Sequence, residues 1–558
     1  MTQKNTPFAI TLDVGSSLEN RTGSWRTVKP TYVNRLPPCN AKCPAGEKCQ
    51  AWLYAAESGN YEEAWKRITA DNPFPACMGR VCYHTCETAC NRGGLDESVG
   101  INSVERFLGD NALAKGWDLP KPQQETGKRV LVVGAGPAGL SAAYHLRQAG
   151  HTVHVVEGAQ AGGGMMRYGI PKYRLPREVL DAEIERIVRT GVTIEYGREV
   201  TDLAQEMKDG KYDAVFLGVG AHLARRTYIP AGDASRVLDA VSVLKDVAED
   251  EKPMLGRRVA IYGGGNTAMD VARAAKRVPG VEHVRLVYRR TRRYMPADEE
   301  ELVMALEDGV EFMELLSPGD LANGVLTCEV MRLGAPDASG RRAPEPAGET
   351  VIVPATAVIT AVGERIEQGL YQATGCELDE KGRPVVSDSL ETSVPHVFAA
   401  GDARRGPATV VKAIADAMTV TTAIAGTSFD AMGEKNVNPS YEAPLASRGT
   451  LEADVASLAH TRCLGCATVC ETCCEVCPNR ANVAIRVSGM RERQIVHMDG
   501  MCNECGNCAV FCPYSEGKPY RDKLTLFWSR EDFDDSQNEG FLPVEGGMLV
   551  RLDGATAV

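Results

Sequence analysis

Two glycine clusters, each set between an apolar run and a helix-like segment, constrain this 558-residue chain more than any other feature. The first reads RVLVVGAGPAGLSAAYHL. Val130 to Val133 supply a buried strand, Gly134 the tight turn, Gly136 room for a pyrophosphate and Gly139 close packing of helix on strand, with Pro137 and Ala138 opening the helix. The helix start points its free N–H groups at the phosphates. The next strand, HTVHVVE, ends at Glu157, where a carboxylate suits the two ribose hydroxyls of an adenosine.

The second cluster, RRVAIYGGGNTAMDVARAA, repeats the pattern with Gly263, Gly264, Gly265, Asn266, Thr267 and Ala268. Its second strand, HVRLVYRRT, ends in Arg289 and Arg290 instead of an acid. Two cationic forks suit a 2′-phosphate, so this site is expected to take NADPH over NADH, with Arg292 and Arg293 near enough to share the role. Downstream, HVFAAGDARRG places Gly401 and Asp402 at a strand end, and Thr409 opens a helix-like run whose positive end suits a reduced flavin. The first site therefore reads as FAD and the second as a nicotinamide cofactor.

Ten of the nineteen cysteines crowd into the C-terminal hundred residues. Cys502, Cys505, Cys508 and Cys512-Pro513 form a regular bacterial two-cluster ferredoxin run. The partner half ends at Cys477-Pro478 after Cys473 and Cys470, but Ala467 stands where its first cysteine belongs, so Cys466 or Cys463 fills that place. The favoured sets are Cys466, Cys470, Cys473 and Cys512 for one [4Fe-4S] cluster, and Cys477, Cys502, Cys505 and Cys508 for the other. A pair of zinc knuckles is the rival reading, since zinc also takes thiolate quartets.

A net charge of −12 with mixed signs speaks against a nucleic-acid partner. The start, MTQKNTPFAITLDVG, does not read as a secretion signal, and no apolar run reaches bilayer length. Cysteines in a long chain of this kind point to metal or redox use, and the expected setting is the reducing cytoplasm.

The motifs GAGPAGL, GGGMMRYGIPKYRLP, GGGNTAMD, VYRRT, MPA and AAGDARRG resemble those of the NADPH-oxidising small subunit of glutamate synthase and its relatives, including the amino-terminal half of dihydropyrimidine dehydrogenase. The likeness runs from about Pro38 to about Phe429, and the C-terminal cysteine block is similar to the tail of a selenate reductase flavoprotein subunit. The resemblance implies that Gly163, Gly164, Arg167 and Tyr168 line the flavin pocket. It also implies a helical iron–sulfur domain using Cys39, Cys43, Cys82, Cys86 and Cys90. One cluster is expected on Cys43, Cys82 and Cys86, with a fourth ligand that is either another cysteine or an oxygen ligand such as Glu105. A second would draw on Cys39, Cys90, Cys49 and Cys77. Cys328 and Cys376 are expected to be core residues.

The expected architecture is α/β, with two Rossmann-like nucleotide-binding domains. A helical iron–sulfur domain spans 1–127, and an FAD domain (128–235 and 356–430) is split by an NADPH domain (236–355). A linker and ferredoxin-like α+β domain with an acidic tail follow over 431–558. The expected function is an electron-transfer subunit of a larger oxidoreductase complex, moving electrons between NADP(H), FAD, iron–sulfur clusters and a catalytic partner subunit or a ferredoxin, in either direction. The partner would be of 2-oxoacid, aldehyde or glutamate synthase type. A self-contained NADPH-dependent reductase and a bifurcating flavoprotein are the alternatives.

Overall fold

The computed structural model describes residues 37–225, 227–231, 236–336, 340–426, 460, 463, 471–488, 493–503, 505–511, 524–536, 538–552 and 555–557. They fall into two compact units, a larger one over the described residues from Lys42 to Gly426 and a smaller one that includes those from 471 onward. No helix among the described residues is long and apolar enough to cross a membrane.

In the larger unit the run Val130–Val133 is buried throughout, as a strand covered by helices on both faces must be. It forms Arg129–Val133, the centre of a five-stranded parallel sheet in the order Val397–Ala399, Ala214–Leu217, Arg129–Val133, Thr152–Glu157, Thr193–Tyr196. Its first strand in space comes late in the chain, so this domain is split. The helix Val410–Ala425 packs on the helix Pro137–Gln148, closing one face of the sheet.

Between the two halves lies a second parallel sheet, in the order Arg236–Asp239, Ala357–Ala361, Arg258–Gly263, His283–Tyr288, Glu311–Glu314. The strand Ala357–Ala361 corrects the expected boundary at 355/356. It pairs on both sides within the second sheet, and its Ala357, Val358 and Ile359 are fully buried there. The return to the first domain comes after it, where Leu223–Ala224 and Glu364–Arg365 pair antiparallel and tie the outgoing and returning crossings together. A three-stranded antiparallel sheet, Leu316–Ala322, Val325–Pro336 and Arg342–Pro354, completes the inserted domain.

Ahead of the first sheet the helices Cys49–Glu57, Tyr61–Thr69, Pro75–Val81 and Ile101–Lys115 pack around the fully buried Trp52 and Trp65. They are anchored to the flavin-type domain by Glu183 of the helix Arg177–Arg189. Both of its carboxylate oxygens accept backbone N–H bonds at the open start of Pro75–Val81, from Ala76 and Cys77, each at 2.9 Å. This supplies the cap that the helix lacks locally.

The smaller unit carries a six-stranded mixed sheet ordered Asn482–Ile485, Gln494–Met498, Leu524–Leu526, Gly540–Val544, Gly547–Leu552, Ala555–Ala557. The stretch expected as an acidic tail thus supplies three of its strands. They are held by Phe527, Phe533, Leu542 and Leu549, whose two phenylalanine rings meet edge to face at 5.2 Å.

Candidate functional site

The first glycine turn is built for close backbone approach. Gly134 has φ +100° and donates to Val156 O at 2.8 Å, and a Cβ added to Gly139 would lie 1.9 Å from Gly134 O. The helix Pro137–Gln148 begins at Gly136 with no side-chain cap, so its first N–H groups face the turn. Gly164 closes the other wall: a Cβ there would sit 2.8 Å from Gly136 Cα, and Gly163 N–H donates to Ala135 O at 2.7 Å. Glu157 accepts from the N–H of Ala135 (2.6 Å) and of Ala159 (2.8 Å), which holds its carboxylate at the end of the second strand. Arg167 donates to Gly162 O at 2.5 Å and pairs with Asp181, and the Tyr168 hydroxyl donates to Ala161 O at 3.4 Å.

The later motif is delivered to the same place. A Cβ on Gly401 would lie 3.0 Å from Ala138 Cβ, so the strand end abuts the first turn of the helix Pro137–Gln148. Gly401 N–H donates to Asp416 at 2.8 Å, and Asp416 pairs with Arg405. Asp402 accepts from Ala408 N–H at 3.0 Å, and burial pushes its carboxyl up to about 7. Among the described residues Thr409 Oγ1 is buried without a hydrogen-bond partner at the start of the helix Val410–Ala425. An orphaned hydroxyl, an uncapped helix start and a wall that only glycine can form fit a bound dinucleotide.

In the second cradle a Cβ on Gly263 would lie 2.3 Å from Ala361 O, whereas one on Gly265 would meet open space at the uncapped start of the helix Asn266–Lys276. The motif's polar residues are tied to later segments: Asn266 Oδ1 accepts from Asp298 N–H (2.8 Å), Gly264 O from Ala297 N–H (3.0 Å), and Thr267 donates to Glu364 (3.1 Å). Ala268 is buried beneath them. Arg289 is exposed, and Arg290 is half-buried with its Nε on Arg342 O at 2.9 Å. Neither pairs with a carboxylate among the described residues. Arg292 is bound to Glu299, and both line a cavity of about 420 Å³ with Arg293, Met295, Ala297 and Leu302.

Near the amino terminus Cys43, Cys82, Cys86 and Glu105 share one electrostatic neighbourhood. A hydrogen bond with Cys49 lowers the Cys43 thiol to about 7, while burial, then Glu105, pushes Cys82 up. Glu47 and Glu105 are both buried, both accept from Asn72 Nδ2 (2.9 and 3.0 Å), and burial raises both well above the usual carboxylate range. Glu47 and Asn72 were not legible as part of this neighbourhood. Cys90 is half-buried just before the turn Asn91–Gly94, and Cys39 donates to Asn40 Oδ1 at 3.6 Å. Cys77 lies beside Glu183, and burial raises its thiol. Cys328 and Cys376 sit in apolar cores.

In the smaller unit Cys477, Cys502, Cys505 and Cys508 line one cavity, together with Asn482 and His497. Ala481 N–H donates to Cys477 Sγ at 3.1 Å, and Asn482 links His497 Nδ1 (3.0 Å) to Cys473 O (3.2 Å). Four thiols around one cavity, with an N–H aimed at a sulfur, fit a thiolate-held cluster. Cys473 is buried beside Ile495, and Cys466, Cys470 and Cys512 lie outside the described residues.

The family described as pyridine nucleotide-disulphide oxidoreductase matches residues 128–417, and dihydropyrimidine dehydrogenase domain II, 4Fe-4S cluster, matches 33–117. The chain is 38% identical over 539 residues to the oxidoreductase YgfK of Escherichia coli, covering 93% of this chain and 52% of YgfK. It is 38% identical to the NADP(+)-dependent formate dehydrogenase subunit beta of Moorella thermoacetica, covering 68% and 58%. To the glutamate synthase [NADPH] small chain of Escherichia coli it is 38% identical, covering 68% and 86%. The chain spans about half the length of YgfK and under two thirds of the formate dehydrogenase subunit. With the split first sheet, the inserted second sheet and a glycine cradle in each, this chain is an oxidoreductase of the pyridine nucleotide-disulphide oxidoreductase family and a relative of the glutamate synthase small chain.

Proposed function

We propose that the chain is the NADP(H)-linked electron-transfer part of a larger, cytoplasmic oxidoreductase assembly. The observation that carries this reading is the pairing of two dinucleotide cradles in one unit, the second ending in Arg289 and Arg290 with no carboxylate partner among the described residues. Bound FAD supplies the exchange between two-electron hydride chemistry and the one-electron chemistry of iron–sulfur clusters.

The chain's own residues position these groups. Gly134, Gly136, Gly139 and Gly164 leave room for the flavin nucleotide's pyrophosphate, and Glu157 meets its adenosine ribose. Thr409 offers a hydroxyl with no other partner among the described residues. Gly265 opens the second helix start to the nicotinamide dinucleotide, and Arg289 and Arg290 receive its 2′-phosphate. Cys43, Cys82, Cys86 and an oxygen from Glu105 hold one amino-terminal cluster, and Cys477, Cys502, Cys505 and Cys508 hold one at the other end. Cys466, Cys470, Cys473 and Cys512 hold its companion. The partner is a catalytic subunit, since the relatives named as a formate dehydrogenase beta subunit and a glutamate synthase small chain are themselves parts of assemblies.

The test is an anaerobic addition of NADPH, then separately NADH, with flavin absorbance and cluster EPR read on one sample. Bleaching followed by cluster signals with NADPH alone is expected. Clusters that stay silent after full flavin bleaching would refute transfer in the direction from NADPH.

A further inference from the structure

The loop GIPKYRLP presents its far side to the inserted nucleotide domain, with three consecutive side chains each gripping it. Lys172 Nζ lies 2.5 Å from Asp250 Oδ1. The Tyr173 ring lies under two guanidinium groups of the helix Asn266–Lys276 and its end, Arg273 at 5.0 Å and Arg277 at 4.0 Å from its centroid. Arg174 forks between Asp270 of that helix, at 2.6 Å, and Glu301 of the helix Glu299–Glu307. These three side chains are almost wholly buried, at 9%, 9% and 4% exposure.

The other side of the loop is equally fixed. Arg177 donates to the carbonyls of Met166 (3.2 Å), Ile170 (2.8 Å) and Leu175 (3.0 Å), and to that of Arg167, in the segment beside Gly164. Arg174 also lies in the electrostatic neighbourhood of Tyr83, the residue after Cys82. One side chain thus bears on the thiol-bearing domain, the flavin-type domain and the helix whose start opens the second cradle.

Contacts between domains of one chain are by default polar and exchangeable, and two domains joined by a two-stranded crossing can dock in more than one way. Buried ion pairs add little net stability over apolar packing, but they penalise any docking that leaves one charge buried alone. We propose that Lys172, Tyr173 and Arg174 form a clasp that selects one docking of the inserted domain, with Arg174 the positioning residue that aligns the second cradle with the first. The clasp rests on the contacts above. Its consequence for hydride transfer rests on the function proposed in the previous subsection.

The experiment uses the full-length, cofactor-loaded protein as wild type, Arg174→Gln, Arg174→Lys and Asp270→Asn. Two readouts are taken: amide hydrogen exchange of 240–250, 266–276 and 299–307, and the rate of flavin bleaching at saturating NADPH beside the dissociation constant of NADP+. For Arg174→Gln and Asp270→Asn, exchange in these segments is expected to quicken at least tenfold and bleaching to slow at least tenfold, with NADP+ affinity and flavin content within twofold of wild type. Arg174→Lys, which keeps a charge but not the fork, should recover part of both. Unchanged exchange and rate would overturn the clasp, and so would losses of affinity and flavin content in proportion to the rate. If Arg174→Gln is insoluble, Tyr173→Leu on the half-exposed rim of the loop should show the same split at smaller size, and its failure to do so overturns the proposal equally. A wild type that NADPH does not reduce would sink the proposed function, while the exchange readout would still decide the clasp.

Discussion

Replacing Arg289 and Arg290 by alanine separates a 2′-phosphate site from two arginines that merely solvate a strand end. Arg289 is exposed, so its contact with the phosphate is screened and contributes about 0.5–1 kcal/mol, a factor of about two to five. Arg290 is half-buried with Nε already on Arg342 O, which leaves its terminal nitrogens to carry a phosphate contact. A charge-assisted bond from them is worth about 1.5–2 kcal/mol, a factor of about ten to thirty. The double variant should therefore bind NADP+ roughly 30- to 150-fold more weakly and bind NAD+ within about twofold of wild type. Calorimetric titration of both nucleotides at two salt concentrations measures this, and the gap between them should narrow at high salt. Equal losses for the two nucleotides would refute the assignment, because alanine would then be disturbing the strand end and not a phosphate.

Three further outcomes follow from single contacts. Burial pushes the Glu183 carboxyl up to about 7 against the two N–H bonds that pull it down. The folded protein thus holds this proton more tightly than the unfolded chain, so stability is greatest below about pH 4.5 for this group and falls by up to about 3 kcal/mol as pH rises to about 7. Denaturant melts of Glu183→Gln should show a flatter dependence over that window, and an unchanged slope would exclude a carboxyl raised by burial there. Gly164→Ala places a Cβ 2.8 Å from Gly136 Cα at φ +49°, so purified protein should carry less than a tenth of the wild-type FAD, with a refolded sheet still visible by circular dichroism. Cys505→Ser should lower iron content while leaving the flavin-to-protein ratio unchanged. Loss of FAD together with iron would mean that the smaller unit supports the flavin site.

The glycine turns, the acidic end at Glu157, the basic end at Arg289 and Arg290 and the pairing of Cys477 with Cys502, Cys505 and Cys508 were all legible, because each depends on local spacing. A strand–turn–helix needs a handful of residues in order, and a cysteine run carries its own geometry. What escaped were contacts between residues far apart in the chain. Glu183 caps a helix more than a hundred residues earlier, Asn72 holds Glu47 and Glu105 together, and Glu364 meets Thr267 across the crossing. None of these leaves a periodic trace, since a single buried polar side chain looks the same in sequence whether it faces water or a partner.

The strand Ala357–Ala361 shows the division plainly. A run of alanine, valine and isoleucine apolar on both faces fits either parallel sheet equally well, and only its pairing with Arg236–Asp239 and Arg258–Gly263 assigned it to the second. By itself the sequence determined the two glycine cradles and the acidic and basic strand ends beside them, because those are properties of neighbouring residues. The tertiary structure decided which strands share a sheet and how Arg174 locks the domains, because burial of a charge is tolerated only where a distant chain segment brings its counter-charge.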